Sequence, residues 1–199
     1  MEHANMDGWL SLVLGIGLSA ACGFRVFLPL LVMSLASLDG HLALAPGFEW
    51  IATPEACGTF AVATVCEVLS YYIPWWDNLM DSLSSPAAVT AGTITTASVL
   101  TDTSPLLQWT LAVIAGGGAA GMVQAGTVLV RGASSFTTAG LANPVLSTVE
   151  LGASAVTSIL SLLAPVAAAI FLVLMAAVIA KRLSRRRAGL TGPERQIPL

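Results

Sequence analysis

Charged side chains are scarce in this chain, and positive ones are almost absent from its first 180 residues. Asp, Glu, Lys and Arg make up 10% of the 199 residues, whereas about a quarter of residues are charged in soluble domains. Hydrophobic residues account for 56%, and the mean hydropathy is +0.84. The composition therefore predicts an integral membrane protein.

Residues that usually carry catalysis or bind metals are also few. The chain has two histidines and three cysteines, and Cys22, Cys57 and Cys66 follow no metal-ligand spacing. Together with the scattered acidic residues they form no nucleophile–base pair. We expect no enzyme, no metal and no cofactor, and the lack of a basic patch with aromatic residues predicts no nucleic-acid partner.

The basic residues that do occur are concentrated at one end. Six of the eight lie between Lys181 and Arg195, and by the positive-inside rule this end is cytoplasmic. We expect residues 1–183 to form a single transmembrane domain in the cell inner (plasma) membrane. Residues 184–199 are then a flexible basic tail, which contacts anionic lipid headgroups.

Proline and glycine divide the apolar sequence into helices. The pattern predicts an all-α bundle of five or six transmembrane helices, some of them broken, with a short interfacial amphipathic helix. The number stays open because the pieces on either side of Pro165 are each short for a full span. The predicted segments are 9–36 (broken near Arg25), 55–73, 75–84 (interfacial), 86–101, 105–131, 145–162 and 166–180.

Small residues recur at helical spacing in two places. Gly15, Ser19 and Gly23 form one strip, and Gly117, Gly121 and Ala125 form another. Such strips let helix backbones approach closely, so we predict tight packing at both. For the second strip and the Gly116–Gly118 run, a local kink is the alternative.

Arg25 lies within an otherwise uncharged apolar run. An arginine near the middle of a membrane span costs about 2.5–3.5 kcal/mol on insertion scales, so it requires a partner or a water-filled cavity. Arg131 is the second isolated arginine. Candidate acidic partners are Glu67, Asp77, Asp81 and Glu150. A structural ion pair and a ligand-binding arginine remain alternatives at this point.

Polar residues around Arg131 and Glu150 extend the candidate site. Ser147, Glu150, Ser154, Ser158 and Ser161 form one stripe on a predicted helix and should face the bundle interior. Residues 132–144 are rich in hydroxyl groups, which predicts a polar loop beginning at Arg131. Asp77 and Asp81 are four residues apart, which suggests either a cation or ion-pair site or a solvated helix face.

These residues suggest a small transporter or channel-like protein. Arginines would hold an anionic or zwitterionic solute or a lipid headgroup, and Glu67 or Glu150 would handle a proton. The alternative is a non-transporting accessory or assembly subunit of a larger membrane protein complex. The expected partners are the lipid bilayer and either a second copy of the chain, in a homo-oligomer, or a larger membrane complex. The predicted binding residues are Arg25, Glu67, Arg131, Thr137, Thr138, Asn143, Ser147 and Glu150.

Several segments together resemble a known family. They are 17–29 (Gly-Leu-Ser-Ala-Ala-Cys-Gly-Phe-Arg-Val-Phe-Leu-Pro), Glu67 with Ile73-Pro-Trp-Trp-Asp77 and Asp81, Ser85-Pro86, and Arg131 through Asn143-Pro144 to Glu150. In these segments the chain is similar to the domain of unknown function 4126 family of bacterial multi-pass membrane proteins. The resemblance implies membrane helices and places the charged residues in the family's signature segments, but it implies no activity.

Overall fold

The structure, a computed structural model, describes residues 8–70, 74–138 and 141–190. These residues form helices joined by turns and loops and contain no strand, which confirms the predicted all-α class. The helices are α1 (Gly8–Phe24), α2 (Phe27–Leu38), a short 3₁₀ helix (Glu49–Ala52), α3 (Pro54–Ser70), α4 (Pro74–Val99), α5 (Pro105–Thr138), α6 (Asn143–Leu163) and α7 (Pro165–Leu190).

Prolines mark where most of these helices begin. Pro54, Pro74, Pro105 and Pro165 are each the first residue of a helix, and Pro144 is the second. Proline suits the first turn because its missing N–H would have no partner there and its fixed φ is already helical. The predicted break at Pro165 is confirmed, since Ala164 leaves the helical conformation at φ −153° and ψ 75°.

Helix α1 lies at the centre of the bundle and contacts α2, α4, α5, α6 and α7. Its predicted small-residue strip forms the closest contacts. Ser19 Oγ donates a hydrogen bond to Gly92 O of α4 at 2.5 Å, and a Cβ added to Gly23 would lie 2.5 Å from Ala120 O of α5. In the second predicted strip, Gly117 and Gly121 face α4, whereas Ala125 is exposed.

The chain turns back between α1 and α2, at Arg25 and Val26. Gly15 of α1 lies against Thr96 of α4, and Ser98 Oγ of α4 bonds to Met33 Sδ of α2 at 3.4 Å. Residues before and after the turn therefore lie near the same end of α4. The predicted break is confirmed, and it forms the tip of a helical hairpin.

Helix α5 extends further than the sequence suggested. Arg131 was predicted to end the helix and 132–144 to form a loop, but α5 continues to Thr138. The reason is that the hydroxyl groups in this segment bond to their own helix: Thr137 Oγ1 donates to Ala133 O at 2.8 Å and Thr138 Oγ1 to Ser134 O at 2.8 Å. Because these hydroxyl groups already have a hydrogen-bond partner, they do not end helix α5.

Helix α4 also differs from the prediction, which had an interfacial helix over 75–84 and a second helix starting at Pro86. One helix covers both segments, with Pro86 in its interior. Proline costs a helix about 3 kcal/mol or more, but the following turns are held by packing, since Ala88 and Ala91 are buried.

In α7, residues 184–190 of the predicted tail are helical.

The outer faces of the helices are largely apolar, and the interior contains polar side chains beside an apolar core. Large apolar side chains are exposed on the outer faces of the helices, such as Val62 on α3, Met122 on α5 and Val173 on α7. Serine, threonine and arginine side chains are buried inside. Two helices of the described residues, Pro105–Thr138 and Asn143–Leu163, are long and apolar enough to cross a membrane; α1, α2 and Pro165–Leu174 are apolar but shorter.

The glycine run of α5 forms a π-helical segment, Ala112–Gly117, against α4. A Cβ on Gly116 would lie 2.3 Å from Thr96 Oγ1 and 2.6 Å from Gly92 O, whereas a Cβ on Gly118 would meet nothing within 4 Å. We expect Gly116→Ala to destabilise the protein by about 1–3 kcal/mol, because the backbone oxygen cannot move aside.

Gly118→Ala is the matched control, since alanine favours a helix over glycine by up to about 1 kcal/mol. In thermal unfolding in detergent, Gly116→Ala should therefore have a lower melting temperature than wild type, and Gly118→Ala the same or a higher one. Equal melting temperatures would contradict the close contact between α4 and α5.

Candidate functional site

Three charged side chains and one serine meet inside the bundle; we call them the arginine–glutamate cluster (Arg25, Arg131, Ser147 and Glu150). Arg131 Nε donates to Glu150 Oε1 at 3.1 Å, and Arg131 Nη2 contacts Oε2 of the same carboxylate. Arg25 Nη2 lies 3.5 Å from that Oε2. One carboxylate thus bridges two guanidinium groups.

Ser147 joins the same cluster one turn before Glu150. Its carbonyl oxygen accepts a hydrogen bond from Arg25 Nη2 at 2.7 Å, and its Oγ accepts one from Arg131 Nη2 at 3.2 Å. Arg25, Arg131 and Glu150 are 2%, 5% and 8% exposed. These hydrogen bonds are of the stronger, charge-assisted kind because the guanidinium donors are ionised, and at this depth water screens them little.

Glu67 bonds to main chain beside the cluster. Its carboxylate lies at the start of α2, where Oε1 accepts from Val26 N at 2.9 Å and Oε2 from Phe27 N at 3.2 Å; its pairing with Arg25 stays a prediction. The first N–H groups of a helix have no partner within the helix. Glu67 supplies that partner from a neighbouring helix.

The charges at the hairpin tip match the electrostatics of the two helix ends. Arg25 directly follows the C-terminus of α1, where a positive charge is favourable, and Glu67 lies at the N-terminus of α2, where a negative charge is favourable. Each interaction of this kind contributes about 0.3–1 kcal/mol at exposed sites and up to about 2 kcal/mol in partly buried ones. The break is therefore stabilised by Arg25, which belongs to the arginine–glutamate cluster, and by Glu67 beside that cluster.

The polar stripe on α6 faces the bundle interior, as predicted. Ser154, Ser158 and Ser161 are fully buried, and Ser154 Oγ donates to Ala21 O of α1 at 3.0 Å. Since that carbonyl belongs to the last turn of α1, the bond ties α6 to the arm of the hairpin that leads into Arg25.

A small cavity adjoins the cluster. Its volume is about 10 Å³, approximately the space that one water molecule requires. Polar groups form most of its wall. The lining residues are Phe24, Val26, Glu67, Ser84, Gln124, Thr127, Arg131 and Glu150.

Gln124 is the lining residue that the sequence analysis missed. It is 7% exposed and belongs to α5. Its signal in the sequence is an amide in the apolar stretch 111–130, and polar side chains within such stretches commonly face a cavity or a partner.

Other predicted binding residues lie apart from the cavity wall. Thr137 is exposed and Thr138 partly buried, both with hydroxyls bonded to their own helix, and Asn143 Nδ2 donates to Ser135 Oγ at 3.3 Å. Their binding roles remain predictions. The side chains of Asp77 and Asp81 lie outside the described residues, so the predicted cation or ion-pair site does too.

Metal binding has no support in the part of the chain that the structure describes. No group of three or more His, Cys, Asp or Glu side chains there could hold an ion. The acidic residues of the centre are instead bonded to arginine and to main-chain N–H groups.

Residues 12–185 match the model of the family described as Domain of unknown function (DUF4126). The chain belongs to this family. The match confirms the resemblance found in the sequence and includes the whole arginine–glutamate cluster, Glu67 and Gln124. No curated protein and no solved structure matches the chain. The function of this DUF4126 protein is therefore argued from its own residues.

Proposed function

We propose that this DUF4126 protein is a multi-pass integral membrane protein of the cell inner membrane. The support is the apolar outer surface of the helices, with side chains such as Met122 exposed, together with the buried arginine–glutamate cluster. The two helices of spanning length add to it. By the positive-inside rule, the basic residues from Lys181 onward place the C-terminus in the cytoplasm. Five or six crossings remain our expectation.

We further propose that the cluster binds the anionic group of a small anionic or zwitterionic solute or of a lipid headgroup, which the protein moves across the membrane. The observation that carries this is the convergence of Arg25 and Arg131 on one carboxylate, that of Glu150. Guanidinium groups bind carboxylate and phosphate in the same forked geometry. In the structure, the Glu150 carboxylate therefore lies between the two arginines, at the position that the bound anion would occupy.

The size of the cavity defines how binding has to proceed. With about 10 Å³ free, a solute enters only when Glu150 leaves the arginines and the surrounding helices separate. The tip of the hairpin at Arg25 is a natural place for that movement, because it has no continuous helix to bend. A proton on Glu150 or Glu67 would remove the competing charge while the anion is bound.

Uptake into vesicles tests this proposal. We expect purified protein in liposomes to take up at least one labelled small carboxylate or phosphate compound, and Arg131→Lys to reduce this uptake at least about tenfold, since lysine keeps the charge but loses the fork. Glu55→Gln, at an exposed position of α3 outside the cluster, is the control and should be unaffected. Binding of phosphatidylglycerol over phosphatidylcholine, measured by native mass spectrometry, distinguishes a lipid headgroup from a soluble solute.

The second candidate is a non-transporting accessory subunit, favoured by a different observation. The helices around Gly92 and Gly116 are in close contact, and Glu150 is bonded on both oxygens, as expected of a rigid scaffold. This function predicts a co-purifying membrane protein and no uptake of any solute. Uptake that is equal in wild type and Arg131→Lys would reject the arginine site.

A further inference from the structure

The side chain of Gln124 has no hydrogen-bond partner in the described protein. The bond that Gln124 makes outside the helix backbone is through its main-chain oxygen, which accepts from Thr127 Oγ1 at 2.9 Å. The residue is more than nine-tenths buried, and it lines the cavity beside the cluster. The amide atoms are not among the fully buried side-chain atoms without a partner in the described residues, so the amide keeps accessible surface and is free to bond a molecule in the cavity.

The cavity limits what that ligand is. Its volume of about 10 Å³ fits a single water molecule and excludes a solute or a hydrated ion. A water molecule also needs two to four polar partners. The wall is mostly polar, and the polar or charged residues that line it include Gln124, Glu67, Glu150 and Arg131.

We propose that the cavity is a binding site for one water molecule, which Gln124 orients between Glu67 and Glu150, and that this water links the two carboxyl groups for proton transfer. The charged groups that line the cavity among the described side chains are Glu67 from α3, Arg131 from α5 and Glu150 from α6, with Arg25 in contact with Glu150.

The transfer itself is simple. The carboxyl of Glu67 gives its proton to the water while the water gives another of its protons to the carboxylate of Glu150. The result is one proton moved between the two carboxyl groups and an unchanged water. The proton link rests on the proposed transport function, since moving a proton matters only if the cluster opens; the water site does not rest on it.

Gln124→Met tests the water site, because methionine keeps the approximate volume but cannot hydrogen-bond. If water is bound, the variant loses that bond, and we expect its melting temperature to fall by about 2–4 °C. Gln108→Met is the matched control for a bonded amide on the same helix, as Gln108 Nε2 donates to Ala97 O at 2.8 Å and to Leu100 O at 3.3 Å; it should fall too. A higher melting temperature for Gln124→Met would show a dry cavity and overturn the site.

Proton movement into liposomes, followed with a pH-sensitive dye inside the vesicles, tests the link. We expect Gln124→Met to reduce proton flux at least fivefold relative to wild type, and Gln108→Met to leave it unchanged. Equal fluxes in wild type and Gln124→Met would reject the link even where the melting data support a bound water. If wild-type protein moves a labelled solute but no protons, the link fails while the anion site stands.

Discussion

Replacing Glu150 with glutamine is expected to destabilise the protein more than replacing either of its arginine partners. The Glu150 carboxylate is shared by Arg25 and Arg131, both buried, and the amide carries no charge to balance them. Removing one partner from a buried ion pair costs about 3–5 kcal/mol. Glutamine keeps the shape of the side chain, so the loss reports charge rather than packing.

Two comparisons make this result specific. Arg131→Gln should cost less, because Glu150 then keeps Arg25 at 3.5 Å. The double variant Arg131→Gln with Glu150→Gln should lose less stability than the two single losses added together, since the two residues interact directly. Thermal or denaturant unfolding in detergent measures all three. Glu55→Gln, at an exposed glutamate of α3, is the control, and an equal loss there would contradict the bridging role.

Replacing Glu67 with alanine is expected to be the next most destabilising change. Its carboxylate accepts the N–H groups of Val26 and Phe27 at the start of α2, and alanine leaves both without an acceptor. The expected loss is about 2–4 kcal/mol for the two groups together, since each unsatisfied buried donor costs about 1–3 kcal/mol and this site is partly buried.

Glu67→Gln and Glu55→Ala show whether the main-chain contacts are the cause. Glutamine keeps one acceptor oxygen, so its loss should be intermediate, whereas Glu55→Ala changes an exposed side chain of the same helix and should cost little. Hydrogen exchange adds a local measurement: in Glu67→Ala the amides of Val26 and Phe27 should exchange faster, with those at the centre of α6 little changed. If all three variants unfold alike, Glu67 does not hold the hairpin tip.

Much of the fold could be predicted because its causes are local. Prolines at helix starts, the break around Arg25 and the glycine and serine strip on α1 each depend on neighbouring residues alone. The inward stripe from Ser147 to Ser161 was readable for the same reason, since its period places the hydroxyls on one side of α6. Glu150 was named as a partner of Arg25 because few carboxylates were available.

The errors arose where distant contacts or the helix itself decide the outcome. Hydroxyl residues after Arg131 looked like a loop, yet Thr137 and Thr138 satisfy their hydroxyls on the helix that contains them. Pro86 looked like a helix start, yet the packing of Ala88 keeps α4 continuous through it. The role of Glu67 depends on which main-chain groups lack partners, which only the hairpin's three-dimensional path determines. Gln124 depends on a cavity that no sequence pattern encodes.

During biosynthesis, Arg25 is made long before Ser147 and Glu150, the residues of α6 to which it binds. Its hydrogen bond to Ser147 spans 122 positions, so at about 5–20 residues per second the ribosome needs roughly 6–24 s to make that partner after Arg25 itself. During this interval the guanidinium has neither Ser147 nor Glu150 to bind, although α1 and α2 already exist. Glu67 is made long before then, so the main chain of the hairpin tip gains its partner early, whereas the bonds of Arg25 to Ser147 and Glu150 form only after α6 is made.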